Sequence, residues 1–303
     1  MTDQTILATA ETLEPPASAS IEDVYITAQD GVRLHARVYG ARQTNLLPVL
    51  CLPGLSRTTR DFDDIALRLA AKGRRVVALD YRGRGQSGHA TDWRSYSLLV
   101  ERADVLDICA SLGIERAAII GSSRGGLIAM AIAPARPGLI AGLTLVDVGP
   151  QVEPRGIARI KSFIGQTETP STWSEAAALL KRSQSTLFDG FTDADWDLMA
   201  QQIYADRNGR PERDFDPNLP RILDEIDFTK PLATMWKEFD ALSGMPLLLI
   251  HGLNSDVLTN ETIAEMRKRR PDIAYLTVPG EGHVPLLRDG PVNDAIIAFV
   301  EGL

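Results

Sequence analysis

Short apolar runs alternate along the chain with longer segments in which apolar residues recur at helical spacing. The runs typical of strands are VYIT, VRLHARVY, LPVLCLP, RRVVALD, RAAIIG, GLTLVDV, MPLLLIHG and IAYLTVPG. Between two of them, SYSLLVERADVLDICASLG has the periodicity of an amphipathic helix. An Asp30-Gly31 pair separates the first two runs and predicts a hairpin turn. This alternation predicts an α/β fold: a mostly parallel central sheet with helices on both faces, led by an antiparallel hairpin.

The strand signal disappears between about residues 150 and 243, where helix-like runs such as WSEAAALLKRS take its place. This interruption follows the strand GLTLVDV, and ligands bind such sheets at the carboxyl ends of their strands. We therefore interpret 150–243 as a helical cap (lid) inserted into a core domain formed by 21–149 and 244–303. Residues 1–20 are rich in Thr, Ala, Ser, Glu and Pro without apolar periodicity, which predicts a disordered N-terminal tail.

Composition narrows the classes of function. The chain has 303 residues, 44% of them hydrophobic and 24% charged, which is typical of a globular protein with a large core. A net charge of −8 argues against binding to nucleic acid or to an anionic membrane. The first thirty residues contain no Lys or Arg and so lack the basic region of a secretory signal, which makes a cytoplasmic location the expectation. The oligomeric state is not fixed by the sequence, and a homodimer is compatible with it.

The segment IIGSSRGG carries the clearest chemical signal in the chain. It ends an apolar run with Gly121-Ser122-Ser123-Arg124-Gly125 and leads into the helix-like run LIAMAIA. A serine on a sharp strand-to-helix turn is exposed at the top of a sheet, and the turn crowds the positions two residues before and after it. A glycine-rich loop is the alternative interpretation. The strand before the motif and the helix after it favour Ser123 as a nucleophile.

A serine hydroxyl needs a base, usually a histidine oriented by a carboxylate. Elimination is practicable because there are four histidines: His35 lies in the N-terminal hairpin, His89 in a glycine-rich loop, and His251 at the end of a strand. His283 follows the last predicted strand in the loop PGEGHVPLL, where small residues let an imidazole project over the sheet. We predict that His283 is the base.

Two aspartates compete for the role of the acid that orients His283. Asp256 follows the strand LLLIH and gives the chain order Ser, Asp, His, so it is the favoured candidate. Asp147, at the end of LTLVDVG, is the alternative acid, and Glu281 is too close to His283 in sequence to orient it easily. Either aspartate could instead cap the turn or helix that follows it.

The oxyanion hole requires two backbone amides near the nucleophile. The residue after the serine, Arg124, is expected to supply one. The loop Pro53-Gly54-Leu55-Ser56 follows the strand LPVLCLP and lets the chain bend close to a substrate, so the amide of Leu55 is the candidate for the second.

Over about residues 22–303 the chain resembles the α/β-hydrolase fold superfamily, and within it the bacterial cap-bearing serine ester hydrolases. The segments that carry the resemblance are LPGLSRTTRDF, LDYRGRGQSG, IIGSSRGG, LTLVDVGP, LLLIHGLNSDVL and VPGEGHVPLL. The resemblance implies a Ser123, His283 and Asp256 triad with a helical cap after LTLVDVGP. Two departures are the oxyanion loop PGLS, where many relatives have His-Gly, and the charged Arg124, where relatives often have an uncharged residue.

These features predict a serine hydrolase that cleaves a carboxylic ester, or a lactone or thioester, of a small and mainly apolar substrate, with no metal or organic cofactor. The aromatic residues of the cap, Trp236 among them, are candidate substrate contacts, and the alternative is that they form the core of the cap, which is the more frequent use of such residues. The Arg124 guanidinium could recognise a carboxylate on the substrate or pair with a nearby acid, such as one in the Asp61–Asp64 cluster. Two alternatives stay open: a C–C bond or enol-lactone hydrolase with the same triad, and a non-catalytic ligand receptor or scaffold.

Overall fold

An eight-stranded sheet forms the centre of the protein in the computed structural model, which describes residues 20–166 and 168–303. The spatial order of the strands is β1-β2-β4-β3-β5-β6-β9-β10. Strands β1, β2 and β4 pair antiparallel, and all the other neighbours pair parallel. The strands are β1 (Ile21–Thr27), β2 (Arg33–Tyr39), β3 (Val49–Leu52), β4 (Val76–Asp80), β5 (Ala117–Ser122), β6 (Ile140–Val146), β9 (Leu247–Gly252) and β10 (Ala274–Val278), with a separate hairpin of β7 (Tyr204–Arg207) and β8 (Arg210–Arg213).

Nine α-helices connect or cover these strands within the described residues. They are α1 (Asp63–Ala71), α2 (Leu98–Ser111), α3 (Arg124–Ile132), α4 (Pro154–Ile164), α5 (Trp173–Gln184), α6 (Asp193–Ile203), α7 (Trp236–Asp240), α8 (Asn260–Arg269) and α9 (Pro291–Glu301). Short 3₁₀ turns lie at Thr59–Phe62, Trp93–Ser95, Pro137–Leu139 and Leu219–Leu223. The predicted α/β class and the leading hairpin are confirmed.

Central strands are apolar throughout because both of their faces are buried. In β5, Ile119 packs into the core layer that contains residues of α2, α3 and α8, whereas Ala118 and Ile120 pack into the layer that contains residues of α1 and α9. This follows from the two-residue period of a strand, which sends neighbouring side chains to opposite faces. Strand β1 instead alternates exposed and partly buried positions, as expected at an edge of the sheet.

The segment between β6 and β9, called here the cap segment (residues 150–243), forms a hydrophobic cluster that also includes Leu286 of the core domain. Leu180 on α5, Trp196 on α6 and Tyr204 on β7 are among its buried members. The expectation that this segment contains no strands is wrong, since β7 and β8 form a short antiparallel hairpin. Their sequences, YADR and RPER, are too polar to be recognised as strands.

The end of the cap segment belongs structurally to the core. Helix α7 packs against α3, and Phe239 is buried in the same apolar cluster as residues of α2 and α3. The predicted N-terminal tail falls, up to residue 19, outside the described residues. None of the helices that the structure describes has the length and apolar character needed to cross a bilayer.

Candidate active site

Ser123 occupies the turn between β5 and α3, in a backbone conformation that few non-glycine residues adopt. Its φ is 49° and its ψ is −113°. The turn is tight on both sides: a Cβ on Gly125 would lie 2.0 Å from the Leu52 carbonyl oxygen, and one on Gly121 would lie 2.7 Å from Gly126 Cα. Glycine is therefore required at both positions, and this strained turn holds the serine at the end of its strand.

The hydroxyl of Ser123 contacts the imidazole of His283. Ser123 Oγ lies 2.7 Å from His283 Nε2, although the two residues are 160 positions apart in the sequence. His283 is in the loop after β10, and its side chain is 5% exposed. Among the described residues, His35, His89 and His251 do not line the cavity at Ser123. The structure therefore brings together the predicted nucleophile and the predicted base.

On the other side of the imidazole lies Asp147. His283 Nδ1 is 2.8 Å from Asp147 Oδ2. The Asp147 carboxylate is completely buried and accepts two further hydrogen bonds, from the Gly252 amide at 2.8 Å and from the Ser255 hydroxyl at 2.6 Å. Its backbone is also unusual, with a φ of 53° directly after β6. Neighbouring segments thus fix this carboxylate in the position that orients the imidazole.

The prediction that Asp256 holds this position is corrected by the geometry. Asp256 makes a two-pronged ion pair with Arg159 of α4, with Nε at 2.6 Å from Oδ2 and Nη2 at 2.8 Å from Oδ1. Burial alone would raise the pKa of Asp256, but hydrogen bonds from Arg159 hold that pKa below its ordinary value. Asp256 therefore ties the cap segment to the core, and Asp147, the alternative acid, contacts the histidine.

The loop after β3 brings Leu55 to the wall of the cavity beside Ser123. Its carbonyl oxygen accepts a hydrogen bond of 2.8 Å from Nε of the buried Arg84. Among the hydrogen bonds of the described loops, the amides of Leu55 and Arg124 donate to no backbone carbonyl. That these two amides form an oxyanion hole stays a prediction.

Two predicted substrate contacts do not line the cavity. The Arg124 side chain forms an ion pair with Glu101 of α2 and donates to the Tyr96 carbonyl at 2.8 Å, so its partner is neither a ligand nor the Asp61–Asp64 cluster. Trp236 packs edge-on against Phe239 on α7, with ring centroids 5.9 Å apart. Both side chains are occupied within the fold, Arg124 by Glu101 and Trp236 by Phe239.

A cleft opens above Ser123 and His283, between the core and the cap segment, with about 700 Å³ of empty space when the part open to solvent is included. Its walls are mainly apolar and come from α4, α5, α6 and the loops of the core: Leu55, Ile160, Phe163, Ile164, Leu180, Phe188, Met199, Ile203, Val284 and Leu286. Among the described residues, no group of three or more His, Cys, Asp or Glu side chains could hold a metal ion.

Sequence reasoning missed two cationic residues in this wall, Arg57 and Arg159. Arg57 stands two residues after Leu55 in the loop PGLSR, and that proximity to a predicted oxyanion loop was the available signal. Arg159 gave no such signal, because its place in the wall depends on how the cap segment folds over the sheet.

Comparison with known proteins agrees with this geometry. A family model described as alpha/beta hydrolase fold matches residues 48–289. The chain is 32% identical over 260 residues to a 3-hydroxybutyrate-oligomer hydrolase of Cupriavidus necator, which covers 82% of this chain and 86% of that protein. It is 27% identical over 258 residues to the sn-1-specific diacylglycerol lipase ABHD11 of Mus musculus, covering 83% and 80% of the two chains.

Among solved structures, an alpha/beta hydrolase from Novosphingobium aromaticivorans superposes with a TM-score of 0.84 at 38% identity, covering 95% of this chain and all of that one. The sheet order, the strained serine turn and these matches lead to one assignment. The chain belongs to the alpha/beta hydrolase fold family.

Proposed function

We propose that this protein is a serine hydrolase that cleaves a carboxylic ester of a small, mainly apolar substrate through an acyl-enzyme on Ser123. One observation carries the proposal. A chain of short contacts runs from the Ser123 hydroxyl through His283 to Asp147, and it opens into an apolar cleft.

In the proposed mechanism, His283 Nε2 accepts the proton of Ser123 Oγ as the oxygen attacks the ester carbonyl. Asp147 accepts a hydrogen bond from His283 Nδ1–H, which fixes the required tautomer and stabilises the imidazolium that forms. The tetrahedral intermediate collapses when His283 gives its proton to the departing alcohol. Water, activated by the same imidazole, then releases the acid and restores Ser123.

The negative charge of the intermediate requires donors that are already in place. The Leu55 and Arg124 amides supply them in this mechanism, and the N-terminus of α3 favours the charge because its first amides have no partner within the helix. Loss of one such donor typically costs about 100-fold or more in rate. The charge is thus stabilised by groups that need no rearrangement during the reaction.

The substrate is proposed from the cleft and from the relatives together. Apolar walls favour short acyl or alcohol groups, and the Cupriavidus relative is named for the hydrolysis of 3-hydroxybutyrate oligomers, which are esters of a short hydroxy acid. A linear 3-hydroxybutyrate dimer is therefore the first substrate to test. Lactones, thioesters and vinylogous diketo acids belong in the same panel. The alternative hypotheses, which are cleavage of a lactone, a thioester or a C–C bond, use the same three side chains.

The test combines a fluorophosphonate probe with turnover of p-nitrophenyl butyrate. We expect the wild type and a Ser122→Ala control to be labelled and active, and a Ser123→Ala variant to be unlabelled, with its rate reduced by about 10⁴-fold or more. Ser122 is the matched control because it is the adjacent serine, buried at the end of β5. Labelling and turnover that persist in Ser123→Ala would contradict the proposal, and turnover of the diketo acid alone would assign a C–C bond instead of an ester.

A further inference from the structure

The ionisable side chains that face the cleft are all of one sign. Besides His283, they are Arg57 and Arg159, and no described Asp or Glu contributes to the wall. This is notable in a chain with a net charge of −8. Each arginine is paired with an aspartate outside the wall, Arg57 with Asp61 and Arg159 with Asp256. The donors that these pairs leave unused therefore decide whether either arginine can bind a ligand.

Arg57 stands beside the nucleophile. A Cβ built on Gly54 would lie 3.1 Å from Arg57 Cγ and 3.8 Å from Ser123 Cβ, so the arginine stem and the serine flank the same glycine. The guanidinium is held in place by the buried Asp61, which accepts from Nε at 2.8 Å, and by Gln202 of α6, which accepts from Nη2 at 2.9 Å. The arginine is thus positioned in advance at the junction of the core and the cap segment.

One edge of this guanidinium is free. Within the described part of the chain, Arg57 Nη1 has no acceptor, whereas Nε and Nη2 are both engaged. The Asp61 carboxylate pairs with the edge formed by Nε and Nη2, with Nη2 2.7 Å from Oδ1, and does not line the cleft. The Arg57–Asp61 pair therefore orients the arginine without occupying the donors of Nη1.

Arg159 differs from Arg57 in this respect. Its Nε and Nη2 are bonded to Asp256, and its Nη1 donates to Gln184 at 3.2 Å. Its ion pair with Asp256 holds α4 against the core. Arg57 is the residue of the two that is prepared to bind a ligand directly.

We propose that Arg57 binds a free carboxylate on the substrate, so that the enzyme acts on esters that carry a carboxylate a short distance from the scissile bond. This inference rests on the proposed ester hydrolysis at Ser123 and adds the charge class of its substrate. A carboxylate bonded to a fixed guanidinium is a charge-assisted contact, whereas a primary amide in the same place keeps one carbonyl acceptor and loses the charge. The enzyme should therefore turn over the charged ester faster than its neutral analogue, because only the charged ester gains this contact while its scissile carbonyl lies at Ser123.

The test compares two substrates that differ at one group. One is the linear 3-hydroxybutyrate dimer with its free carboxylate, and the other is the same dimer with that carboxyl converted to a primary amide. We expect the wild type to prefer the acid by about 10- to 100-fold in kcat/KM. Arg57→Gln should bring the ratio of the two substrates close to one, and Arg57→Lys should keep an intermediate preference.

Arg60→Gln is the matched control. Arg60 lies three residues further on and also joins the core to the cap segment through Asp214, but it does not line the cleft. The substitution removes the same charge and a comparable ion pair, so a ratio that falls equally in Arg60→Gln would show a general electrostatic effect and overturn the assignment to Arg57. A wild-type ratio near one, or a preference retained in Arg57→Gln, would overturn it as well.

A second measurement does not depend on the choice of dimer. Inhibition of p-nitrophenyl butyrate hydrolysis is compared between 3-hydroxybutyrate and 3-hydroxybutyramide, and the carboxylate should inhibit the wild type at least about tenfold more strongly. Equal inhibition, with turnover that depends on Ser123, overturns the carboxylate subsite alone. Absence of labelling and of turnover dependent on Ser123 instead overturns the proposed function, so the two failures are distinguishable.

Discussion

Asp147 and His283, on loops 136 residues apart, meet at 2.8 Å over the carboxyl end of the sheet. The contact depends on strand order: β6, which Asp147 follows, is the direct neighbour of β5, which carries the nucleophile turn. A backbone hydrogen bond of 2.7 Å from the Asp147 amide to the Ile250 carbonyl fixes the residue against β9 as well. The carboxylate is therefore held rigidly from two neighbouring strands, as a group that orients an imidazole must be.

The first prediction separates the two candidate acids. Asp147→Asn should lower kcat by about 10⁴-fold, because the amide favours the wrong tautomer of His283 while the shape of the site is kept. Asp256→Asn removes the partner of Arg159 and should chiefly lower the thermal midpoint, with a much smaller effect on kcat. Both variants are assayed with p-nitrophenyl butyrate and unfolded by heating. A larger loss of kcat in Asp256→Asn than in Asp147→Asn would restore Asp256 as the acid.

The sequence favoured Asp256 on chain order, but that criterion does not exclude Asp147, for a physical reason. Each aspartate follows a parallel strand, and each lies between Ser123 and His283 in the sequence. The choice depends on which loop turns toward the imidazole, and that is decided by the left-handed backbone of Asp147 and by the Arg159 that draws Asp256 to the cap segment. Neither property is encoded in local hydrophobic periodicity.

The second prediction concerns the nucleophile turn. Gly125→Ala places a methyl carbon 2.0 Å from the Leu52 carbonyl oxygen, and a backbone atom cannot move aside as a flexible side chain can. We expect a loss of about 3 kcal/mol or more in the free energy of unfolding, measured by urea denaturation. Gly138→Ala is the control, because no heavy atom lies within 4 Å of its added carbon. Equal stability of the two variants would contradict the packing of this turn.

The turn that carries Ser123 could be predicted from the sequence because the residues that form it are adjacent in the chain. A run of β-branched residues, two glycines spaced around a serine and a following helix specify the strand, the crowding and the exposure of Ser123. The cleft is different. Arg57 and Arg159 reach one wall only after α4 and α6 have packed over the sheet, and Trp236 is directed away from it because α7 packs on α3. The positions of these three side chains depend on long-range packing, which cannot be predicted from a local sequence pattern.

A buried pair links the two residues that are predicted to hold the oxyanion. Arg84 donates from Nε to the Leu55 carbonyl, and its Nη1 lies 2.7 Å from Glu101 Oε1. The other oxygen of Glu101 accepts from Arg124 Nε. Arg84 and Glu101 are completely buried, so the connection is shielded from water. It fixes the loop of Leu55 relative to the start of α3.

The third prediction follows from this connection. Arg84→Met should lower kcat for p-nitrophenyl butyrate by about 10- to 100-fold with little change in KM, since a displaced Leu55 amide weakens binding of the transition state more than that of the ester. Arg82→Met is the matched control: Arg82 is equally buried in the same loop, and its side chain pairs with Asp104 and Asp30 instead of Leu55. The same fall in kcat in both variants would assign the effect to the loop as a whole.

The fourth prediction concerns the dependence of stability on pH. His35 is completely buried between two carboxylates, with Nδ1 at 2.7 Å from Asp80 and Nε2 at 2.9 Å from Asp23. Burial alone would lower the pKa of His35, but the hydrogen bonds and charges of Asp80 and Asp23 outweigh it and raise that pKa above the ordinary value of 6.5. Protonated His35 therefore stabilises the fold fully below about pH 6.5. As the pH rises through the raised pKa of the folded state, this contribution is lost.

Urea denaturation of the wild type and of His35→Gln, measured from pH 5.5 to pH 9, tests that sign. The stability difference between the two proteins should be largest at the acidic end and should shrink as the pH rises, because the variant has no titrating group at this position. Asp23→Asn, which removes one of the two carboxylate charges, should make the loss begin at lower pH. A difference that stays constant would show that folding leaves the pKa of His35 unchanged, and one that grows toward alkaline pH would show that folding lowers that pKa. Either outcome contradicts the prediction.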